Sequence, residues 1–209
     1  PIVPTKVRHK ILLVYPLQGG SGAFVRHIPL GLLYSSAKLV KQGAFVEIFD
    51  CRLNPRTWRE ELANKLDKET LIVGISVMTG SPVVQATKIG EMVKEFDSHI
   101  NVVWGGPHAT FNPNSILENE ETCDYVVNGY GSEAFFELYQ ALTVGEQPRN
   151  MPGVVYRDGT SIVATPREEQ FEHIKYEDIP YHLISDYDAY GHIGHNNRTF
   201  SMYSALGCP

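Results

Sequence analysis

The chain has 209 residues, 43% hydrophobic and 20% charged, with a formal net charge of -6. These totals describe a globular chain long enough to bury a real core, and they exclude a disordered segment. No stripe of Lys and Arg marks a nucleic-acid surface, no apolar run reaches the roughly 18 residues a membrane-crossing helix needs, and no signal-peptide pattern opens the sequence.

Taken in chain order, short β-branched runs alternate with helical patterns. "KILLVYP" (10–16) lacks alternation, as a strand buried on both faces should. A long loop, "LQGGSGAFVRHIP", separates it from the helix "LGLLYSSAKLVKQG", closed by Gly43. "AFVEIFD" (44–50) is the second strand, and "PRTWREELANKL" the second helix, with Pro55 near its first turn. "TLIVGIS" (70–76) is the third strand. In the helix after it, Ser81 reads as the N-cap and Pro82 as the first helical residue. "INVVWGG" (100–106), the short helix "NPNSILENE", "YVVNG" (125–129) and "SEAFFELYQALTVG" complete five strand–helix units. That succession predicts an α/β fold with a five-stranded parallel sheet in flavodoxin-like order 2-1-3-4-5. Residues 1–145 would form this domain. Residues 146–200 would add a hairpin, "GVVYRDGTSIVATP" with Asp158 and Gly159 at its turn, and a linker wrapped on the domain; 201–209 would begin something new.

In such a sheet, ligands bind beyond the carboxyl ends of the strands, near the point where strand order reverses. The first strand is followed there by Leu17, Gln18, Gly19 and Gly20. The third is followed by Ser76, Val77, Met78, Thr79 and Gly80. The fourth leads into Gly105, Gly106, Pro107 and His108, and the fifth into Gly129, Tyr130 and Gly131. Glycines can mark nothing more than tight turns. Their concentration on one edge of the sheet is what a ligand site requires, because it opens backbone N–H groups to a bulky ligand. The first loop, about 13 residues, also exceeds the roughly 2–6 usual for such a connection.

Several chemistries drop out. "GGSGAF" is followed by no Gly-Lys-Ser/Thr and has no Gly-x-Gly-x-x-Gly spacing, so it is neither a P-loop nor a dinucleotide fingerprint. The acidic residues of a phosphoacceptor receiver are missing from the ends of the first and third strands, which offer Tyr15-Pro16 and Ser76. His192 and His195 form His-x-x-His, but Gly191 and Gly194 oppose the helix that would bring them together. His108 and His27 sit at the ligand edge. Cys51, Cys123 and Cys208 are odd in number and far apart, so a disulfide framework is not expected and a reducing cytoplasm is the expected location.

The stretches "PLGLLYSSAKLVKQGAFVEIFDCR", "GISVMTGS", "VVWGGPHATFNPNSILENE" and "DYVVNGYGSEAFFELYQAL" together resemble the N-terminal cobalamin-binding domain of B12-dependent radical SAM enzymes. The resemblance continues through "PGVVYRDG" and "IPYHLISDYDAY". It implies cobalamin as cofactor, with the nucleotide tail against Ser76, Thr79, Gly80, Gly105, Gly106 and Pro107, the far wall at Gly129, Tyr130 and Gly131, and the loop 17–27 near the corrin. It implies a radical SAM domain in the same polypeptide. Cys208 would be the first ligand of a Cys-x-x-x-Cys-x-x-Cys motif that holds a [4Fe–4S] cluster and S-adenosylmethionine in a longer chain. The implied activity of that longer chain is methyl transfer, or in some relatives ring cyclisation, and this stretch alone would bind without catalysing. Many cobalamin carriers place Asp-x-His-x-x-Gly after the first strand to ligate cobalt. Here "DSHINV" (97–102) precedes the fourth strand, and Val25 stands two positions before His27. The resemblance therefore implies base-off cobalamin with no histidine on cobalt. A stand-alone corrinoid carrier and a cobalamin-free scaffold are the alternatives.

Overall fold

The computed structural model describes residues 9–19, 27–166, 174–190 and 202. Five parallel strands with their helices give way to an antiparallel edge. In order they are β1 (Lys10–Tyr15), α1 (Leu30–Lys41), β2 (Phe45–Asp50), α2 (Trp58–Ala63), β3 (Thr70–Ser76) and α3 (Ser81–Phe96). There follow β4 (Asn101–Gly105), α4 (Pro107–Phe111), α5 (Pro113–Asn119), β5 (Tyr125–Val127), α6 (Ser132–Thr143), β6 (Val154–Asp158) and β7 (Ser161–Ala164).

The sheet order is β2-β1-β3-β4-β5-β6-β7. The expected 2-1-3-4-5 core is present and parallel. The sheet has seven strands instead of five, because the hairpin does not stand apart. β6 pairs antiparallel with β5, Tyr125 opposite Tyr156 and Val127 opposite Val154, and β7 pairs with β6. The reason is visible in the packing. β5 alone would leave an apolar edge, and β6 carries alternating residues that serve both cores. Val155 joins one apolar layer and Val154 and Tyr156 the other. Arg157 fastens the hairpin by donating to three main-chain carbonyls, of Leu117 (2.9 Å), Glu120 (2.8 Å) and Cys123 (2.7 Å).

Pleating sorts the central strands between two layers. Leu12, Val14, Val73, Ile75, Val102 and Trp104 face α2, α3 and α5 through Trp58, Leu62, Ile89, Val93 and Ile116. Ile11, Leu13, Ile72 and Val103 face α1 and α6 through Leu32, Leu39, Phe135 and Leu138. Each such side chain, when fully buried, contributes roughly 1.5–3 kcal/mol. This explains why β1 reads as an unbroken apolar run. A third, smaller cluster joins Ile179, Ile184 and Tyr190 to Ile28 and Leu33, so residues 174–190 lie on the α1 side of the sheet.

Two local expectations fail. Pro55 lies in turns before α2, which begins only at Trp58. Ser81 is not the cap of α3. Gly80 occupies that position, and Ser81 is the first helical residue, its hydroxyl used elsewhere. Among the described residues no helix is long and apolar enough to cross a membrane.

Candidate functional site

Strand order reverses between β1 and β3, since β1 connects outward to β2 and β3 connects the other way to β4. The loops that leave these two strands are tied together. The Ser81 hydroxyl donates to the Gln18 carbonyl at 2.7 Å, and the Gln18 amide donates to the Pro16 carbonyl at 3.0 Å. Gly19 follows with φ +79, and a Cβ there would fall 2.1 Å from Ser81 Oγ. Only glycine fits this approach. Leu17 packs against the core layer of α2 and α3. Gly20, and the remainder of the first loop to residue 26, lie outside the described residues.

The β3 and β4 ends meet in register, Ser76 opposite Gly105. The Val77 N–H donates to the Gly105 carbonyl (2.8 Å), and the His108 N–H donates back to the Val77 carbonyl (3.0 Å). Gly106 stands inside this pair of bonds at φ +91. A Cβ there would lie 3.0 Å from Val77 N, 3.1 Å from Val77 O and 3.2 Å from Ser76 Oγ. Val77 is buried, while Met78, Thr79, Gly80 and Pro107 are exposed along the edge.

The short helix α4, absent from the elements expected from the sequence, laces the remaining pieces together. Thr79 Oγ1 lies 3.3 Å from His108 Nδ1. Asn112 Nδ2 donates to the His108 carbonyl at 3.2 Å and lies 3.5 Å from His108 Nδ1. Thr110 Oγ1 accepts from the Gly129 N–H at 3.0 Å, which brings the β5 loop to the same edge. Gly131 precedes α6, and Ser132 is buried at the first position of that helix. The loops and short helix of this edge also carry large exposed side chains: Met78 is 40% exposed, Tyr130 52% and Phe111 81%. The edge therefore offers hydroxyls, main-chain groups and exposed apolar surface.

The end of β2, which carries no glycine, contributes a charged cluster that the sequence reading missed. Asp50 is 6% exposed. Arg52 donates to it from Nε and Nη2, at 2.9 and 2.6 Å, and stacks 4.0 Å from the Tyr15 ring centroid. Arg52 Nη2 also donates to the His27 carbonyl at 2.7 Å, the point where the described chain resumes after the first loop. The Tyr190 hydroxyl donates to Asp50 Oδ2 at 3.2 Å. Burial, then the neighbouring Asp50 carboxylate, pushes the Tyr190 phenol above its ordinary range. The acidic-x-Arg spacing of Asp50 and Arg52 after a strand was the available signal.

The Asp-x-His of "DSHINV" is an exposed turn at the amino end of β4, with Asp97 and His99 bound to each other (3.1 Å), on the far side of the sheet from these loops. Among the described residues no three His, Cys, Asp or Glu side chains are grouped to hold a metal ion. His192, His195 and Cys208 lie outside the described residues. Cys51 and Cys123 are buried, and burial pushes each thiol up to about 12.

A family model described as the B12 binding domain matches residues 23–139. The chain belongs to this family. The matched stretch contains the loops after β3, β4 and β5 that build the site. An uncharacterised methyltransferase of Pyrococcus horikoshii is 29% identical over 191 residues, 87% of this chain and 40% of the relative. The cobalamin-dependent radical SAM methyltransferase TokK of Streptomyces tokunonensis is 33% identical over 98 residues, 46% of this chain and 14% of the relative. The chain thus spans well under half the length of these curated relatives. Among solved structures, the radical S-adenosylmethionine methyltransferase TsrM of Kitasatospora setae, with cobalamin and a [4Fe-4S] cluster bound, superposes with a TM-score of 0.65. Identity to it is 22%, over 76% of this chain and 31% of that one, a likeness of fold.

Proposed function

We propose that this B12-binding domain holds cobalamin base-off at the carboxyl edge of the sheet, with no histidine on cobalt, as the cofactor module of a radical SAM methyltransferase. The observation that carries the reading is the continuous edge in which four loops are bonded into one floor. Ser81 ties the β1 loop to α3, Val77 ties the β3 loop to β4 and α4, and Thr110 ties α4 to the β5 loop.

The residues fit the group. Cobalamin presents a broad apolar macrocycle fringed with amides and a tail carrying a phosphate. The exposed apolar surface of Met78, Tyr130 and Phe111 suits the former, and the glycine-lined floor with Ser76, Thr79 and Gly105–His108 suits the latter. When bound, the cobalt centre supplies methyl-group transfer. This chain's own residues bind, orient and shield. Gly106 lets the β3 and β4 loops close on each other, and the Asp50–Arg52 pair holds the chain at His27 where the first loop ends. The absence of Asp-x-His-x-x-Gly after β1, and the placement of His99 at the opposite end, support a cobalt without protein imidazole. The iron–sulfur cluster, S-adenosylmethionine and the catalytic step are assigned to a domain in the same polypeptide, opened by residues 201–209 with Cys208 as a cluster ligand.

The test is direct. The purified chain is mixed with hydroxocobalamin, passed through a desalting column and examined by absorption and, after reduction to the cobalt(II) state, by electron paramagnetic resonance. Retained colour, a base-off spectrum and no nitrogen superhyperfine splitting are expected. A colourless protein overturns cobalamin binding in favour of the scaffold alternative. Nitrogen splitting overturns the histidine-free cobalt.

A further inference from the structure

His108 is wired as a hydrogen-bond donor. The Asn112 amide has an orientation fixed independently of the imidazole. The His108 main-chain carbonyl can only accept, so the amide turns its NH2 end towards it at 3.2 Å. That same NH2 lies 3.5 Å from His108 Nδ1. An NH2 group cannot accept, so this contact is a hydrogen bond only when Nδ1 turns a lone pair to it. Thr79, whose hydroxyl rotates freely, then donates to Nδ1 from 3.3 Å. In a neutral imidazole, a lone pair at Nδ1 places the proton on Nε2. His108 is half-buried, yet its Nε2 makes no hydrogen bond among the described residues and is not one of the sealed polar atoms without a partner. It is an accessible N–H donor with no protein acceptor, on a helix pinned to β3 through Val77.

A metal-ligating histidine is wired the other way. It keeps the lone pair on the ligating nitrogen and donates its other N–H to a carboxylate or carbonyl. Here the groups that face Nδ1 are donors, which leaves Nε2 protonated and unfit to ligate.

We propose that His108, held as the Nε2–H tautomer by Thr79 and Asn112, donates from Nε2 to an acceptor oxygen of the corrinoid and does not ligate cobalt. This rests on the corrinoid reading above. The acceptor is either a phosphate oxygen of the nucleotide tail or a carbonyl of a peripheral amide, which share the same recognition chemistry.

Three variants and two ligands test it. Hydroxocobalamin affinity is measured by absorption titration for the wild-type chain, His108→Gln, His108→Asn and Thr79→Val, with thermal melts as the control for folding. Gln places an amide NH2 near the lost Nε2, whereas Asn reaches only as far as Nδ1. His108→Asn is expected to weaken binding about tenfold or more, and His108→Gln to recover most of the loss. Repeating the titrations with cobinamide, which lacks the nucleotide tail, separates the two acceptors. A loss that disappears with cobinamide assigns the phosphate, and one that persists assigns a ring amide. If the wild-type chain binds and His108→Asn binds equally well, the inference falls while the corrinoid reading stands. If the wild-type chain fails to bind, both fall. Imidazole nitrogen chemical shifts of the cofactor-free chain give an independent readout. The Nδ1–H tautomer there would overturn the wiring whatever the titrations show.

Discussion

Replacing Gly106 by alanine puts a single methyl group into the tightest part of the site, and its effect can be worked from the structure. The residue has φ +91 and ψ -175, a conformation essentially restricted to glycine. Holding a side-chain-bearing residue there costs about 1–3 kcal/mol. The new Cβ would lie 3.0 Å from Val77 N and 3.1 Å from Val77 O. Those atoms are main chain and cannot swing aside. They also carry the bonds Val77 N–H to Gly105 O and His108 N–H to Val77 O, at 2.8 and 3.0 Å. Weakening one of them adds about 1 kcal/mol. The sum, roughly 2–4 kcal/mol, corresponds to a melting temperature lowered by on the order of 10 °C for a chain of this size. Because the strain sits between β3 and β4, part of it is relieved by parting the two loops, which spoils the floor against which cobalamin is proposed to lie. Gly106→Ala should therefore lower the melting temperature and weaken hydroxocobalamin binding by more than tenfold. Gly106→Leu should abolish binding. Thermal melts and absorption titration on the same samples read both effects. A Gly106→Ala chain that melts and binds like wild type would refute the reasoning about the site.

Ser81→Ala removes the bond to the Gln18 carbonyl and should cost about 1 kcal/mol by chemical denaturation, with weaker corrinoid binding because the β1 loop is no longer tied to α3. Arg52→Met leaves Asp50 buried without its cation and should cost about 3–5 kcal/mol, whereas Tyr190→Phe removes one hydrogen bond and should cost much less; equal losses would contradict the ordering. Cys51 and Cys123, their thiols raised from 9.0 to about 12 by burial, should resist alkylation of the folded chain at pH 8, read by peptide mass spectrometry. Their raised values also set a sign: the unfolded thiols ionise first, so the contribution is whole below about pH 9 and declines as pH rises towards 12, visible as a falling melting temperature. A chain ended at residue 145 should be poorly stable and prone to associate, since Val126 and Val127 lose the strand that pairs with them; a monomeric fragment with the full-length melting temperature would refute an integral hairpin.

The sequence determined a great deal by itself. Short unbroken apolar runs such as "KILLVY", rich in branched residues and bounded by turn signals, read as strands covered on both faces, and their alternation with helices implies parallel pairing, so the order of the five core strands was legible. The glycine-rich carboxyl edge was legible too, because a φ such as that of Gly106 writes itself into residue type. Other features depend on residues far apart in the chain, and no local pattern encodes them. That β6 continues the sheet depends on the unpaired edge of β5, about thirty positions earlier. That Ser81 clamps Gln18 instead of capping α3 depends on where β1 ends. The Asp50–Arg52–Tyr190 cluster spans 140 positions between its carboxylate and its phenol. The tautomer of His108 is the sharpest case. The residue type announces a group that can donate, accept or ligate, and only the packing of Thr79 and Asn112 against one ring nitrogen decides which. A hydrogen bond is a matter of distance and direction between side chains, and both are fixed by the tertiary structure alone.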